Sequence, residues 1–212
     1  MVWVHSRSRY VMSLARKLII AGNQVPSGEQ VFTSSGTWTA PQGVYSVSVV
    51  CIGNGGAGAQ FTTGGVTYPY NGGGGGGLGY KNNISVIPFQ NYTVVVSGGS
   101  YFINTSTVYG FSGGNATVNF VGAGGSFVGD GGFDGGDGGT YSGGLNDRVA
   151  GGGGGAADYD ADGADGSTGS GNGNGTGVSG NNVGDFGGGG QGASGGQGGV
   201  VQIRWGTGKD FP

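Results

Sequence analysis

Cysteine and histidine are almost absent from this chain of 212 residues, which contains one of each, Cys51 and His5. A single cysteine excludes an internal disulfide, and one residue of each type is too few for an ordinary zinc site. His5 is near the first residue, so the body of the chain has no histidine for acid–base catalysis. Cys51 lies in the apolar run 49–52, which predicts a buried, unreactive thiol. We therefore expect that the protein is not an enzyme.

Charge is also scarce, at 9% of residues and a formal net charge of −3. Four of the eight basic residues lie within the first 17 positions, before any acidic residue, and ten of the eleven acids lie from Asp130 onward. A nucleic-acid-binding face needs a dense basic stripe, which four charges near one end do not form. We expect no nucleic-acid partner.

Proline and long apolar runs are few as well. Five prolines and the lack of a sustained Gly-X-Y period exclude collagen, although glycine makes up 59 residues. The apolar run at residues 18–21 is shorter than the core of a secretory signal, about 7–15 residues, or a membrane span, about 20 residues. We expect no membrane insertion.

Residues 1–27 are predicted to form an N-terminal arm for docking or oligomerisation, with a short helix over residues 10–21 that ends at Gly22. An apolar stripe without a core of its own must bury against another surface. Membrane-surface binding by a basic amphipathic helix is an alternative. The residues predicted to make the attachment are Val11, Leu14, Leu18, Arg16 and Lys17.

Residues 28–212 are predicted to form one glycine-rich β domain, which is strand-rich over 29–123 and polyglycine-rich over 124–199 and closes with a strand at 200–205. β-branched and aromatic residues in short runs favour strands. In the clearest run, 44–52, Tyr45 is expected to share one face with Val47, Val49 and Cys51, and Ser48 to lie on the other face. The predicted strands are 30–33, 37–39, 44–52, 84–87, 92–96, 116–121 and 200–205. The predicted fold is an all-β antiparallel sandwich with polyglycine II-like excursions, preceded by the short helical arm.

The glycine-rich stretches have two interpretations. Flexible loops are the usual interpretation of such composition. However, the chain returns to a strong strand at 200–205, whose apolar residues need partners. In the alternative, packed polyglycine II, helices with three residues per turn exchange backbone hydrogen bonds, and any Cβ would hold them apart. Both interpretations stay open at this stage, and the second is favoured.

The stretch at residues 30–58, QVFTSSGTWTAPQGVYSVSVVCIGNGGAG, resembles the start of the glycine-rich domain of bacteriophage tail-fibre and related tail proteins. Three later features match that family: residues 83–88 followed by 92–96, the glycine run 187–190, and the ending GGVVQIRW at 198–205. The resemblance implies a virion protein of the tail fibre or baseplate periphery. It also implies other tail proteins as partners, a trimeric assembly, and a host-surface glycan or outer-membrane protein as receptor.

Two groups of residues in the glycine-rich stretches are candidate sites. Aromatic rings stack on sugar rings, and tyrosine adds a polar group, so the aromatic residues are candidates for receptor contact; packing within or between protomers is the alternative. They are Phe61, Tyr68, Tyr70, Phe133, Tyr141, Tyr159 and Phe186. Aspartates with the spacing of the first half of an EF-hand loop are weak candidates for Ca²⁺, because Gly169 replaces the final glutamate. They are Asp158, Asp160, Asp162 and Asp165.

Three functional hypotheses follow. The first is a non-enzymatic tail-fibre or fibre-tip protein that docks to the virion through residues 1–27 and presents loops to the host surface. The second is a purely structural connector of the tail or baseplate, without receptor contact. The third is a cellular ice- or surface-binding polyglycine protein, which predicts a flat face of small residues.

Overall fold

The computed structural model describes residues 26–142, 150–169, 187–190 and 194–212. The helix predicted over residues 10–21 lies outside this part of the chain. So do the predicted attachment residues Val11, Leu14, Leu18, Arg16 and Lys17.

Twelve β-strands and no α-helix occur in the described part of the chain. They are β1 (Gly28–Phe32), β2 (Gly36–Thr39), β3 (Ser46–Ile52), β4 (Gln60–Thr63), β5 (Val66–Pro69), β6 (Leu78–Ser85), β7 (Asn91–Ser97), β8 (Gly99–Phe102), β9 (Val108–Gly110), β10 (Phe127–Val128), β11 (Gly131–Phe133) and β12 (Val200–Trp205). All strand pairs are antiparallel, so the all-β antiparallel prediction is confirmed.

Two five-stranded sheets enclose the main hydrophobic core. The first has the order β1-β12-β3-β6-β11, and the second has the order β10-β9-β8-β7-β2. Trp38 and Phe102 of the second sheet pack on Val49, Cys51 and Ile203 of the first. Alternating side chains of β3 and β12 supply this inward face. Burial raises the pKa of the Cys51 thiol well above its ordinary value, in agreement with the buried thiol expected from its apolar neighbours.

Strand β3 is buried on both faces, which corrects the predicted division of its residues. Val47, Val49 and Cys51 point into the main core as predicted, whereas Val50 and Ile52 belong to a second cluster on the opposite face of the sheet. Ser48 is also buried, and its hydroxyl donates to Asp210. Tyr45 precedes the strand and is exposed.

The strand predicted at residues 116–121 is wrong. These residues form a turn, in which the hydroxyl oxygen of Thr117 accepts hydrogen bonds from the backbone N–H groups of Asn119 and Phe120. The β-branched residues favour a strand, but a threonine hydroxyl that bonds the local backbone competes with strand pairing.

The glycine-rich stretches leave the ends of the strands and pack side by side as one bundle. Residues 72–77, here called the central segment, are all buried and run directly into β6. Its neighbours are the segments 53–58, 111–116, 122–126, 134–140, 151–157 and 187–190.

Every backbone polar group of the central segment forms a hydrogen bond with another segment, at N···O distances of 2.7–3.1 Å. The N–H groups of residues 72–77 donate, in order, to the carbonyls of Gly139, Gly190, Gly114, Gly136, Gly187 and Phe111. Their carbonyls accept, in order, from the N–H groups of Gly122, Gly154, Gly56, Gly125, Ala157 and Gly53. Residues three apart therefore bond the same neighbour, and the central segment is bonded to six. This three-residue period is the one that polyglycine II requires.

Only glycine fits the central segment. A Cβ added at Gly75 would overlap the carbonyl oxygen of Gly155, and one added at Gly72 would overlap that of Gly152. All six positions have a backbone carbonyl in this place. The backbones therefore approach as closely as their hydrogen bonds demand, and no side chain lies between them.

We predict that Gly75→Ala destabilises the protein by about 2–4 kcal/mol, because the methyl group must separate two backbones and break their hydrogen bonds. Gly195→Ala is the matched control, since an added Cβ there meets no atom within 4 Å; we expect a change within about 0.5 kcal/mol. Urea unfolding of both variants measures the difference. Equal midpoints would contradict a close-packed bundle.

Candidate functional site

The glycine bundle has one end on the sheets and one end away from them. At the far end, the hairpin of β4 and β5 joins segments 53–58 and 72–77, and the turn at 117–120 joins 111–116 to 122–126. Leu78 comes seven positions after Asn71, which at about 3.1 Å per residue places the far end roughly 20 Å from the sheet. We call this end, formed by residues 59–71, 117–120 and 140–142, the distal tip.

Asn71 joins the three parts of the distal tip. Its side-chain amide donates to the carbonyl of Thr117 at 2.8 Å, and its side-chain oxygen accepts from the N–H of Tyr141 at 2.9 Å. Its backbone carbonyl accepts from Ala59 at 2.7 Å. The residue is 6% exposed. A buried amide with these partners fixes the loops relative to one another, because breaking any of these bonds leaves a buried polar group without a hydrogen-bond partner.

Four of the predicted aromatic residues come together at the distal tip. Phe61 and Tyr68 are cross-strand partners on the β4–β5 hairpin, and Tyr70 follows the hairpin, where its N–H donates to the carbonyl of Ala59 at 2.9 Å. Tyr70 stacks on Tyr141, with ring centroids 4.3 Å apart and planes 17° apart. The hairpin turns through Gly64 and Gly65, both at positive φ, which suits the tight two-residue connection.

The most exposed ring of the distal tip was missed by the sequence analysis. Phe120 is 73% exposed, compared with 37% for Phe61, and the tip residues Val118 and Val66 are exposed as well. The composition of the run 116–121 predicts a strand. The run forms a turn because the hydroxyl of Thr117 bonds the local backbone, and this turn exposes Phe120. None of the described residues of the distal tip is charged. The surface is suited to contact through ring faces and hydroxyl groups.

Two other candidate aromatic residues lie against the sheet. Tyr159 is partly buried, stacks on Phe211 with centroids 5.8 Å apart, and donates its hydroxyl to Gln202 at 3.0 Å. Phe133 is part of β11 and packs on the second core cluster. These contacts agree with the packing role that the sequence analysis left open. Phe186 lies outside the described residues.

Residues 30–210 match the model of a family described as a glycine-rich domain. The chain belongs to this family. No curated protein matches the chain well enough to count as a relative. The matched region includes both the sandwich and the glycine bundle, and the family's description names no ligand.

The candidate calcium ligands of this glycine-rich domain are spread along its outer edge. Asp162 and Asp165 each accept a backbone N–H through one carboxylate oxygen, from Asp134 at 2.9 Å and from Asp137 at 2.8 Å. Asp158 accepts from the N–H of Tyr159. No group of three or more acidic, histidine or cysteine side chains able to hold a metal ion occurs in the described ranges. Calcium binding stays a prediction.

Asp160, the remaining candidate ligand, is exposed in the turn between two glycine segments. Among the described residues there is also no helix of the length and hydropathy needed to cross a membrane.

We predict that Asn71→Ala loosens the distal tip without unfolding the bundle, because it leaves the carbonyl of Thr117 and the N–H of Tyr141 without their partners. Amide exchange at Tyr141 and along β4 and β5 is expected to accelerate about tenfold or more, while residues 72–77 keep their protection. The exposed Asn119→Ala is the control. Equal exchange in both variants would contradict the anchoring role of Asn71.

We predict that Tyr159 makes stability fall at high pH. Burial raises the pKa of its hydroxyl to about 12, with the nearby Arg204 acting in the opposite direction. A tyrosine in the unfolded chain ionises near pH 10. The stabilising contribution is therefore complete below about pH 10 and is lost as the pH rises towards 12. Tyr159→Phe keeps the ring and removes the ionisation, so its urea midpoint should fall less between pH 8 and pH 11. An identical fall in both proteins would contradict the burial of this hydroxyl.

Proposed function

We propose that this glycine-rich domain protein is a bacteriophage tail-fibre or fibre-tip protein that binds a receptor on the host surface with its distal tip. In this proposal the protein is located in the virion, at the tail fibre or baseplate periphery, and has no enzymatic activity. The proposal combines the resemblance of residues 30–58 to phage tail proteins with the geometry of the tip.

The observation that carries the proposal is a set of exposed rings at one end of a rigid support. Phe120 in the 117–120 turn and Phe61 on the hairpin are exposed, and Tyr70 stacks on Tyr141. Loops that carry binding residues are commonly mounted on a rigid scaffold. Here the scaffold is the central segment, in which every N–H and every carbonyl is bonded to a neighbour.

The chemistry of the tip favours an uncharged ligand with flat apolar faces. Exposed rings stack on the apolar faces of sugar rings, and tyrosine hydroxyl groups bond the surrounding sugar hydroxyls. A host-surface glycan fits these features, and so does an outer-membrane protein with an apolar extracellular loop. The described tip offers no charge that would select a phosphate or a carboxylate.

The opposite end of the molecule is proposed to attach to the tail. Residues 1–27 lead into β1, and β1 is an edge strand with the exposed residues Glu29, Gln30 and Val31. Unpaired strand edges favour assembly with another chain. A homotrimer with its tips directed away from the tail agrees with this polarity, and other tail or baseplate proteins are the expected partners.

A purely structural connector is the second candidate. It is favoured by the hydrogen-bonded bundle, which is as suitable for a spacer as for a support. The two functions differ at the distal tip, because a connector does not need the exposed ring of Phe120.

We predict that Phe61→Ala combined with Phe120→Ala weakens binding to the host envelope at least about tenfold, since each ring removed costs about 1 kcal/mol or more of stacking. The purified full chain is titrated with envelope fragments from the strain that the phage infects. Tyr45→Ala, which removes a ring that is 70% exposed at the other end, is the control and is expected to bind normally.

Electron microscopy of particles that carry a tagged chain locates the protein. Unchanged envelope binding by the double variant, with the tag located on the tail, would favour the connector. A tag absent from the particles would reject both tail functions.

A further inference from the structure

A second exposed apolar surface lies at the end of the sandwich opposite the distal tip. Tyr45, Ile87 and Phe89 are 70%, 64% and 69% exposed. They lie in the loops that connect β2 to β3 and β6 to β7, where both sheets turn away from the glycine bundle. We call these three residues the base patch. No described residue covers it, and such a cluster of large apolar side chains usually marks a contact surface.

Backbone hydrogen bonds hold the base patch in place. The N–H of Val86 donates to the carbonyl of Tyr45 at 2.9 Å, and the N–H of Phe89 donates to that of Ala40 at 2.7 Å. Phe89 has a φ of +67°, a conformation that a phenylalanine rarely adopts. The surrounding bonds therefore keep this ring exposed at a local cost in backbone energy.

The N-terminal arm enters the described structure next to this patch. Pro26 lies beside Gly43, whose added Cβ would be 3.4 Å from the proline ring, and Tyr45 is two residues farther along. Tyr45 also forms one wall of an open groove of about 370 Å³, whose other wall includes Trp205 and Lys209. A chain that continues backwards from Pro26 starts at the edge of both features.

We propose that residues 1–25 of this same chain pack their apolar side chains on the base patch. The segment is rich in large apolar residues, including Trp3, and has no acidic residue. Twenty-five residues reach up to about 80 Å when extended, far more than is needed to cross the patch. This inference goes beyond the proposed function, since it concerns how the arm is held in the free protein, before any attachment to a tail, and does not depend on a receptor.

The tethered segment is favoured over a second copy of the chain as the occupant of the base patch, because its local concentration is higher. A short tether gives its segment an effective concentration in the millimolar range, whereas a free second molecule competes only at its actual concentration. The intramolecular contact therefore forms first in a dilute solution of the protein.

Limited trypsin digestion of the full chain tests this inference, because Arg16 and Lys17 are cleavage sites in the arm. The double variant Ile87→Ser with Phe89→Asn removes two of the three apolar side chains of the base patch, and asparagine tolerates positive φ. We expect cleavage at Arg16 and Lys17 to become about tenfold faster or more, because a docked segment is cut only when it opens. Phe120→Asn makes a matched change at the distal tip, on a ring that is 73% exposed, and is expected to leave the rate unchanged.

Cleavage after Lys81, in the interior of β6, reports global unfolding and is expected to stay slow in every variant. Equal arm cleavage in wild type and both variants would overturn the inference. So would protection of the arm that disappears on dilution, because it would identify a second copy as the occupant.

A second measurement, photochemical cross-linking, does not use the double variant. With the photoreactive analogue p-benzoylphenylalanine at position 89, illumination of the full chain is expected to link this position to a peptide within residues 1–25 of the same molecule. Cross-links that join two chains, or that reach only residues outside the arm, would overturn the inference even if the double variant failed to fold.

Discussion

The structure depends on hydrogen bonds between backbones that have no side chains between them. In the central segment each residue donates one bond and accepts another, so on average one complete bond belongs to each residue. Such a bond contributes about 0.5–1.5 kcal/mol net, and ordering one backbone residue costs about 1–2 kcal/mol. The two quantities nearly cancel. A glycine bundle of this kind is therefore marginal by itself and relies on the sandwich to which it is attached.

The sandwich supplies the hydrophobic free energy that the bundle lacks. Trp38 and Phe102 are fully buried, and the second cluster on the outer face of β3 includes Ala156 and Ala157, which belong to a glycine segment. The apolar contact thus extends from the sheet into the bundle. Because the strands run directly into the glycine segments, strand register also sets which carbonyl each glycine N–H meets. The distal tip is positioned by this register across roughly 20 Å.

The sequence was sufficient to predict an all-β antiparallel fold and several of its strands, and it favoured packed glycine over flexible loops, but it did not show which glycine segments are neighbours. β-branched residues identified the strands at 44–52 and 200–205, and the structure has strands in both places. Glycine has no side chain to distinguish one segment from another. The six neighbours of residues 72–77 are therefore known only from the three-dimensional structure. The division of the aromatic candidates between the distal tip and the sheet also depends on three-dimensional connections. Tyr159 packs inward because the C-terminal Phe211 folds back over the sheet, a long-range contact that no local pattern reveals.

The acidic residues show how the edge of such a bundle is completed. A residue of a glycine segment whose N–H does not meet a neighbour's carbonyl needs another acceptor. Asp162 and Asp165, three residues apart, supply carboxylate oxygens to the N–H groups of Asp134 and Asp137, which are also three residues apart. The same spacing that lets glycines share a neighbour thus places side chains on one outer face. At the six positions of the central segment only glycine fits, whereas Ala156 and Ala157 are buried in a neighbouring segment. Larger side chains are concentrated at this edge and at the two ends of the molecule.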